Sequence, residues 1–323
     1  MRLKTVHGWK DLPDTERGAA VALGNFDGVH RGHQQVIAQA AKAALAGKLP
    51  LGVVTFDPHP RRLFRPTEPA FKLMTHNQQG RALEALGVDL FYILPFDAEL
   101  EHLTDREFAQ RVLHEGLGVS NVAVGFDISF GYGRTGSPQT MTQYGAEFGF
   151  GVSVAEAVGD SPDREGPDRE GQAKFSSTGI RQALRDGRPE VAARILGRPF
   201  AIEGVVEHGR QLGRTIGFPT ANVALADYVQ PRFGVYATRT RLPDGREIAG
   251  VANIGVNPTI DGEIAPRLEV WLFDFDEDIY DQLIETDLVA FLRDEAKFDG
   301  LEPMVRQIEL DAAQARALLL PEF

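Results

Sequence analysis

The chain has 323 residues, 43% of them hydrophobic and 25% charged, with 34 Lys and Arg against 46 Asp and Glu for a formal net charge of -12. Such a length exceeds what one hydrophobic core usually supports, so two globular domains are expected. The absence of Cys excludes disulfides, thiolate metal ligands and a cysteine nucleophile, and the acidic balance argues against extended binding to a nucleic acid.

The opening MRLKTVHGWKDLPD lacks the apolar core of a signal peptide, and no run approaches the length of a membrane span, so a cytoplasmic enzyme with no membrane partner is expected. Short apolar runs at 19–24, 51–56, 88–94, 120–126 and 152–158 then alternate with helical patterns at 33–47, around 76–86 and at 104–118. Thr104 and Glu107 form a capping-box signature at the start of the last of these. Alternation of this kind predicts an α/β, Rossmann-like parallel sheet whose ligands collect beyond the carboxyl ends of the strands. Next, PDREG occurs twice in tandem at 162–171, which reads as a tolerated loop expansion or a recognition site. Residues 175–197 predict two short helices broken around Gly187–Pro189. From about 199 the texture changes to strand-like runs with turns (200–209, 234–245, 246–256, 266–275) and a closing helix at 301–320, which predicts a small antiparallel β-barrel with a C-terminal helix. The domain boundary is placed between 185 and 186.

Three stretches carry chemistry. GNFDGVHRGH at 24–33 follows a buried strand, and a helix starting near His30 would put His30 and His33 on one side of its first turn. Unpaired backbone N–H groups and the positive end of the helix dipole stabilise a phosphate there. Gly24 and Gly28 suit a sharp turn and close approach to an anion, and Gly32 leaves room between the rings. Two ordinary surface histidines, or a metal site using both, are the competing readings. Ser176, Ser177 and Thr178, with Arg181 a turn further on, make either a second anion pocket or a plain helix cap by Ser177 or Thr178. In GRQLGRTIGFPTANV (209–223), Gly209, Gly213 and Gly217 precede Pro219, Thr220 and Asn222. The spacing is not that of a P-loop. Thr220 and Asn222 would share a strand face and could offer oxygens to Mg2+, or simply open an edge strand. Glu269, between Leu268 and Val270, is either an outward surface charge or a general base.

The ordered set GNFDGVHRGH, FDPHP (56–60), GFDISFG (125–131) and SSTGIR (176–181) resembles the adenylyltransferase module of bacterial bifunctional riboflavin kinase/FMN adenylyltransferases. GFPTAN, VANIGVNPTI (251–260), LEVWLFDFDEDIY and RDEAKFDGLEPMVRQI (293–308) resemble the kinase barrel of the same family. The resemblance implies a nucleotidyltransferase domain followed by a riboflavin kinase-like barrel, with ATP-dependent conversion of riboflavin to FMN and then of FMN to FAD and pyrophosphate.

In the first domain it implies that Gly24, Asn25, Phe26, Asp27, His30, His33, Ser176, Ser177, Thr178 and Arg181 hold ATP, and that Pro58, His59, Pro60 and Asp127 line the FMN side. In the second, Gly209, Gly213, Gly217, Pro219, Thr220 and Asn222 would serve ATP, with Thr220 and Asn222 on Mg2+, Glu269 as base, and Asn253 and Arg293 toward the flavin. Three positions depart from the family pattern: Ile128 replaces an aromatic, and Glu277 and Asp281 replace glycines. The implied partners are small molecules, with no nucleic acid; the sequence leaves a homo-oligomer open.

Overall fold

In the computed structural model, residues 2–156, 175–208, 217–258 and 264–319 are described. The PDREG repeat, Gly209 and Gly213 lie outside them. Two compact units result: residues 1–68 with 76–175, and residues 69–75 with 176–323.

The first unit is built on six parallel strands, β1 (Lys4–His7), β2 (Ala20–Leu23), β3 (Leu51–Asp57), β4 (Leu90–Pro95), β5 (Asn121–Gly125) and β6 (Gly151–Ala155), in spatial order β1-β4-β3-β2-β5-β6. β2 is buried at all four positions, as expected of a strand covered on both faces. Helix α1 (Arg31–Gly47) lays Val36, Ile37, Ala40 and Ala44 inward, an i, i+4 stripe on an alanine-rich helix. The expected helix at 104–118 forms as a short α-turn, Asp105–Glu107, closed by the Thr104–Glu107 capping box, and continues with π winding over Phe108–Gly116. Strand order reverses beside β2, so the loops after β3, β2 and β5 leave adjacent strand ends. Ligands of doubly wound sheets bind at such a point.

The second unit is a six-stranded antiparallel sheet of β7 (Phe200–Val205), β8 (Thr220–Ala224), β9 (Gly234–Arg241), β10 (Glu247–Pro258), β11 (Ile264–Leu272) and β12 (Leu283–Arg293), in order β7-β12-β9-β10-β11-β8. Just past β7, the Glu207 N–H donates to the Asn222 carbonyl at 2.8 Å and brings the first strand's end to the last strand, closing the barrel. Leu268, Val270, Ile254 and Ile202 are fully buried. On the other face, the C-terminal helix (Leu301–Leu319) packs Ala312, Ala315 and Leu319 over Val235, Ala237, Val251 and Phe273. The helix Ser177–Arg185, placed with the first domain from sequence, belongs to the second unit. Its tie there is direct: the Arg232 N–H donates to the Leu184 carbonyl at 2.9 Å. Among the described residues, no helix is long and apolar enough to cross a membrane.

One barrel carboxylate opposes folding. Asp287 on β12 lies between Ala201 and Arg239 in cross-strand register. Burial, reinforced by Glu285 and opposed by Arg241, pushes its carboxyl from the ordinary 3.8 up to about 6. A raised carboxyl binds more protons folded than unfolded, so this penalty grows as pH rises from about 4 to about 6 and is complete above that. Asp287→Asn should therefore stabilise the protein at pH 7.5 by on the order of 1–2 kcal/mol, with the gain shrinking toward pH 4. Thermal unfolding at both pH values checks this; an equal gain at each would assign it to packing instead.

Candidate active sites

In the first unit, the loop after β2 delivers its side chains through unusual backbone. Phe26 and Val29 have φ of +48° and +42°, and Gly28 has +93°. Only glycine reaches such values freely, so strain is held at the two non-glycine residues. Phe26, Asp27 and His30 are buried. The Asn25 carbonyl is held from two directions, by the hydroxyl of Thr55 at 2.9 Å and the amide of Gln79 at 3.2 Å.

His30 is the N-cap of α1, its Nδ1 accepting from the His33 N–H at 3.2 Å. An Nδ1 that accepts places the proton of the neutral ring on Nε2, a donor. The two imidazoles stack with centroids 3.6 Å apart, and Phe26 meets His33 edge-on at 5.2 Å. Gly32 is required by space: a Cβ there would lie 2.9 Å from the Phe175 carbonyl and 3.1 Å from the His30 ring. The expected pairing of both histidines at one helix start is thus present. Among the described residues, no group of three His, Cys, Asp or Glu is gathered for a metal ion.

On the neighbouring strand end, His59 caps the short helix Pro60–Phe64 by accepting from the Arg61 N–H at 3.1 Å. Pro58 is exposed and Pro60 half-buried. Asp127 is exposed in the turn after β5, where the Ile128 N–H donates to the Gly125 carbonyl at 3.2 Å. Ser176 to Arg181 fall in the other unit. There Ser176, rather than Ser177 or Thr178, caps the helix, accepting from the Gly179 N–H at 3.2 Å. The cap reading named the wrong hydroxyl because the helix starts one residue early; Ser177 and Thr178 occupy its first turn. Arg181 is buried, with its Nε donating to the Phe71 carbonyl at 2.7 Å.

In the barrel, Asn222, Glu269 and Asn253 stand directly opposite one another on β8, β11 and β10, and Thr220 opposes Trp271 in the next row but one. Residues paired across antiparallel strands share a face, and since Leu268 and Val270 fill the interior, this row lies on the outer face. Asn222 is nonetheless buried, its amide nitrogen 3.4 Å from the Thr220 carbonyl. Asn253 donates to Glu295 at 3.2 Å. Arg293 is held by two nitrogens on Asp311 of the C-terminal helix, Nε to Oδ1 at 2.9 Å and Nη2 to Oδ2 at 2.8 Å, which ties the end of β12 to that helix. Gly217 has φ of +89°, and Pro219 is exposed. Of the two glycine replacements, Asp281 adopts the left-handed backbone itself at φ +60°, and Glu277 is clasped by Arg246 at 2.6 and 2.8 Å.

Residues 12–165 match the family model described as FAD synthetase, and residues 196–319 match the one described as riboflavin kinase. The chain belongs to the bifunctional riboflavin kinase/FMN adenylyltransferase family. It is 39% identical to the bifunctional riboflavin kinase/FMN adenylyltransferase of Pseudomonas fluorescens over 319 residues, 99% of each chain. Identity to that of Escherichia coli strain K12 is 37%, over 97% of this chain and 96% of the relative. A crystal structure described as a macrolide-efflux protein from Streptococcus pneumoniae superposes with a TM-score of 0.82 at 32% identity, covering 98% of this chain and 99% of that one. Efflux is said of that protein alone. A bifunctional riboflavin kinase/FMN adenylyltransferase is both a kinase and a nucleotidyltransferase, with ATP, riboflavin, FMN and FAD as its substrates and products.

Sequence reasoning missed Thr55, Gln79, Glu295 and Asp311. Thr55 had a usable signal, a hydroxyl inside the apolar run LGVVTF. Asp311 had a weaker one, a carboxylate between the apolar positions of the closing helix.

Proposed function

We propose that the two reactions use separate sites, adenylyl transfer in residues 1–185 and phosphorylation in residues 186–323. In the first, Gly24–Asp27, His30 and His33 cradle ATP, with Ser176–Thr178 and Arg181 serving its phosphates and Pro58–Pro60 and Asp127 facing FMN. An FMN phosphate oxygen attacks the α-phosphorus, the α–β P–O bond breaks, and pyrophosphate leaves. Catalysis of this kind needs positioning and charge stabilisation rather than a covalent intermediate; the Nε2 donor implied by the His30 cap supports that role.

In the second site, Glu269 accepts the proton of the riboflavin 5′-hydroxyl as that oxygen attacks the γ-phosphorus of ATP. Asn253 and Arg293 serve the flavin, and Gly209, Gly213, Gly217 and Pro219 serve the nucleotide. The Thr220 hydroxyl and the Asn222 amide oxygen are hard donors, Asn222 directly opposite the Glu269 carboxylate in register and Thr220 two rows along, and they fit Mg2+ shared with substrate phosphates. When bound there, Mg2+ would neutralise phosphate charge. The setting in this reading is the cytoplasm, with no nucleic-acid or membrane partner.

The observation that carries the reading is the row Asn222–Glu269–Asn253, on a sheet distinct from the one that presents His30 and His33. Incubating the purified chain with riboflavin, ATP and Mg2+, and resolving flavins by chromatography over time, tests it. FMN should precede FAD, and supplied FMN should yield FAD without riboflavin. Loss of either product would overturn the assignment of two working sites.

A further inference from the structure

Residues 69–75, PAFKLMT, precede His76–Ala85 in the chain yet belong to the second unit. Within that unit the segment is laid along the start of the barrel's β8–β9 connection. The Lys72 N–H donates to the Asp227 carbonyl at 2.9 Å, and the Val229 N–H donates to the Lys72 carbonyl at 2.8 Å, a parallel bridge opposite Tyr228. Phe71, Leu73 and Met74 are buried. At its end, the Thr75 hydroxyl donates to Glu203 Oε1 at 2.6 Å. Glu203 is only 6% exposed, and its N–H donates to the hydroxyl oxygen of Tyr228 at 3.0 Å. Burial raises the Tyr228 phenol far above its ordinary value, so it stays neutral.

The strap's other end acts on an arginine. Arg181, 6% exposed, donates its Nε to the Phe71 carbonyl at 2.7 Å, and its guanidinium sits 5.4 Å from the centre of the Phe71 ring. A free arginine samples many rotamers. One backbone acceptor and one aromatic face together fix the plane of the guanidinium, and a planar fork serves phosphate only when its plane is right. None of these strap residues belongs to the proposed kinase row.

We infer that Thr75, anchored on Glu203 and Tyr228, is a positioning residue for Arg181 in adenylyl transfer. This rests on the proposal that Arg181 meets ATP phosphates. Thr75→Val keeps the side-chain shape and removes the hydroxyl. It should raise KM for ATP in FAD formation about 3- to 10-fold, with KM for FMN and kcat/KM for riboflavin phosphorylation within about twofold of wild type. Thr75→Ser should restore the KM. Phe71→Leu, which keeps the carbonyl and removes the ring, should raise the same KM selectively.

An unchanged KM for ATP in Thr75→Val, or an equal fall in both activities that follows a lowered melting temperature, would overturn the inference. Arg181→Lys separates the two layers. If it leaves KM for ATP unchanged, the role given to Arg181 is wrong; if it raises that KM while Thr75→Val does not, only the strap's role is lost.

Discussion

Glu269→Gln will lower riboflavin phosphorylation by roughly 10²- to 10⁴-fold, the range for a positioned general base, while FAD formation from supplied FMN stays within about twofold of wild type. The argument starts from strand geometry. Leu268 and Val270 are fully buried in the barrel, so the side chain between them must face outward. There it stands in register with Asn222 on one side and Asn253 on the other. Two neutral amides flanking one carboxylate leave it as the proton acceptor of the row. Glutamine has the same shape and can still hydrogen-bond, so the barrel should fold and bind riboflavin; it cannot take a proton from a hydroxyl. The loss should therefore fall on kcat more than on KM for riboflavin. A kinase kcat within about threefold of wild type would remove Glu269 from the chemistry and return it to the status of an outward surface charge.

What was legible beforehand follows from which signals are local. The parallel sheet could be read because its strands are short, apolar and separated by helical periods, and the helix start at His30 because glycine punctuation and a buried strand bracket it. β1 and β12 were not anticipated. Lys4–His7 has only one buried position, which leaves no apolar run. LIETDLVAFLR carries Glu285 and Asp287 on its outward positions, and a charged barrel face reads like a loop until its neighbours are known. The assignment of Ser177–Arg185 to the second unit depends on contacts with residues 71 and 232, distant in sequence and invisible to periodicity. For the same reason Asp281 could be seen to replace a glycine, but not that it would keep the left-handed backbone a glycine favours.

His30→Ala will reduce FAD formation on the order of 10³-fold, the scale of losing an electrostatic clamp at a transferring phosphoryl group, and leave FMN formation from riboflavin nearly intact. His30 does two separable things. Its Nδ1 satisfies one of the orphan N–H groups at the start of α1, and its ring stacks on His33 at 3.6 Å, fixing where the second imidazole lies. Alanine removes both, and loss of the cap alone costs about 1 kcal/mol. His30→Asn distinguishes them, because asparagine is a good N-cap but has no ring to stack and does not present the Nε2–H. The melting temperature of His30→Asn should return to near wild type while FAD formation stays at least about 10²-fold down. Recovery of both together would mean that His30 serves only to start the helix. A parallel fall in riboflavin phosphorylation would mean that the two sites are not independent.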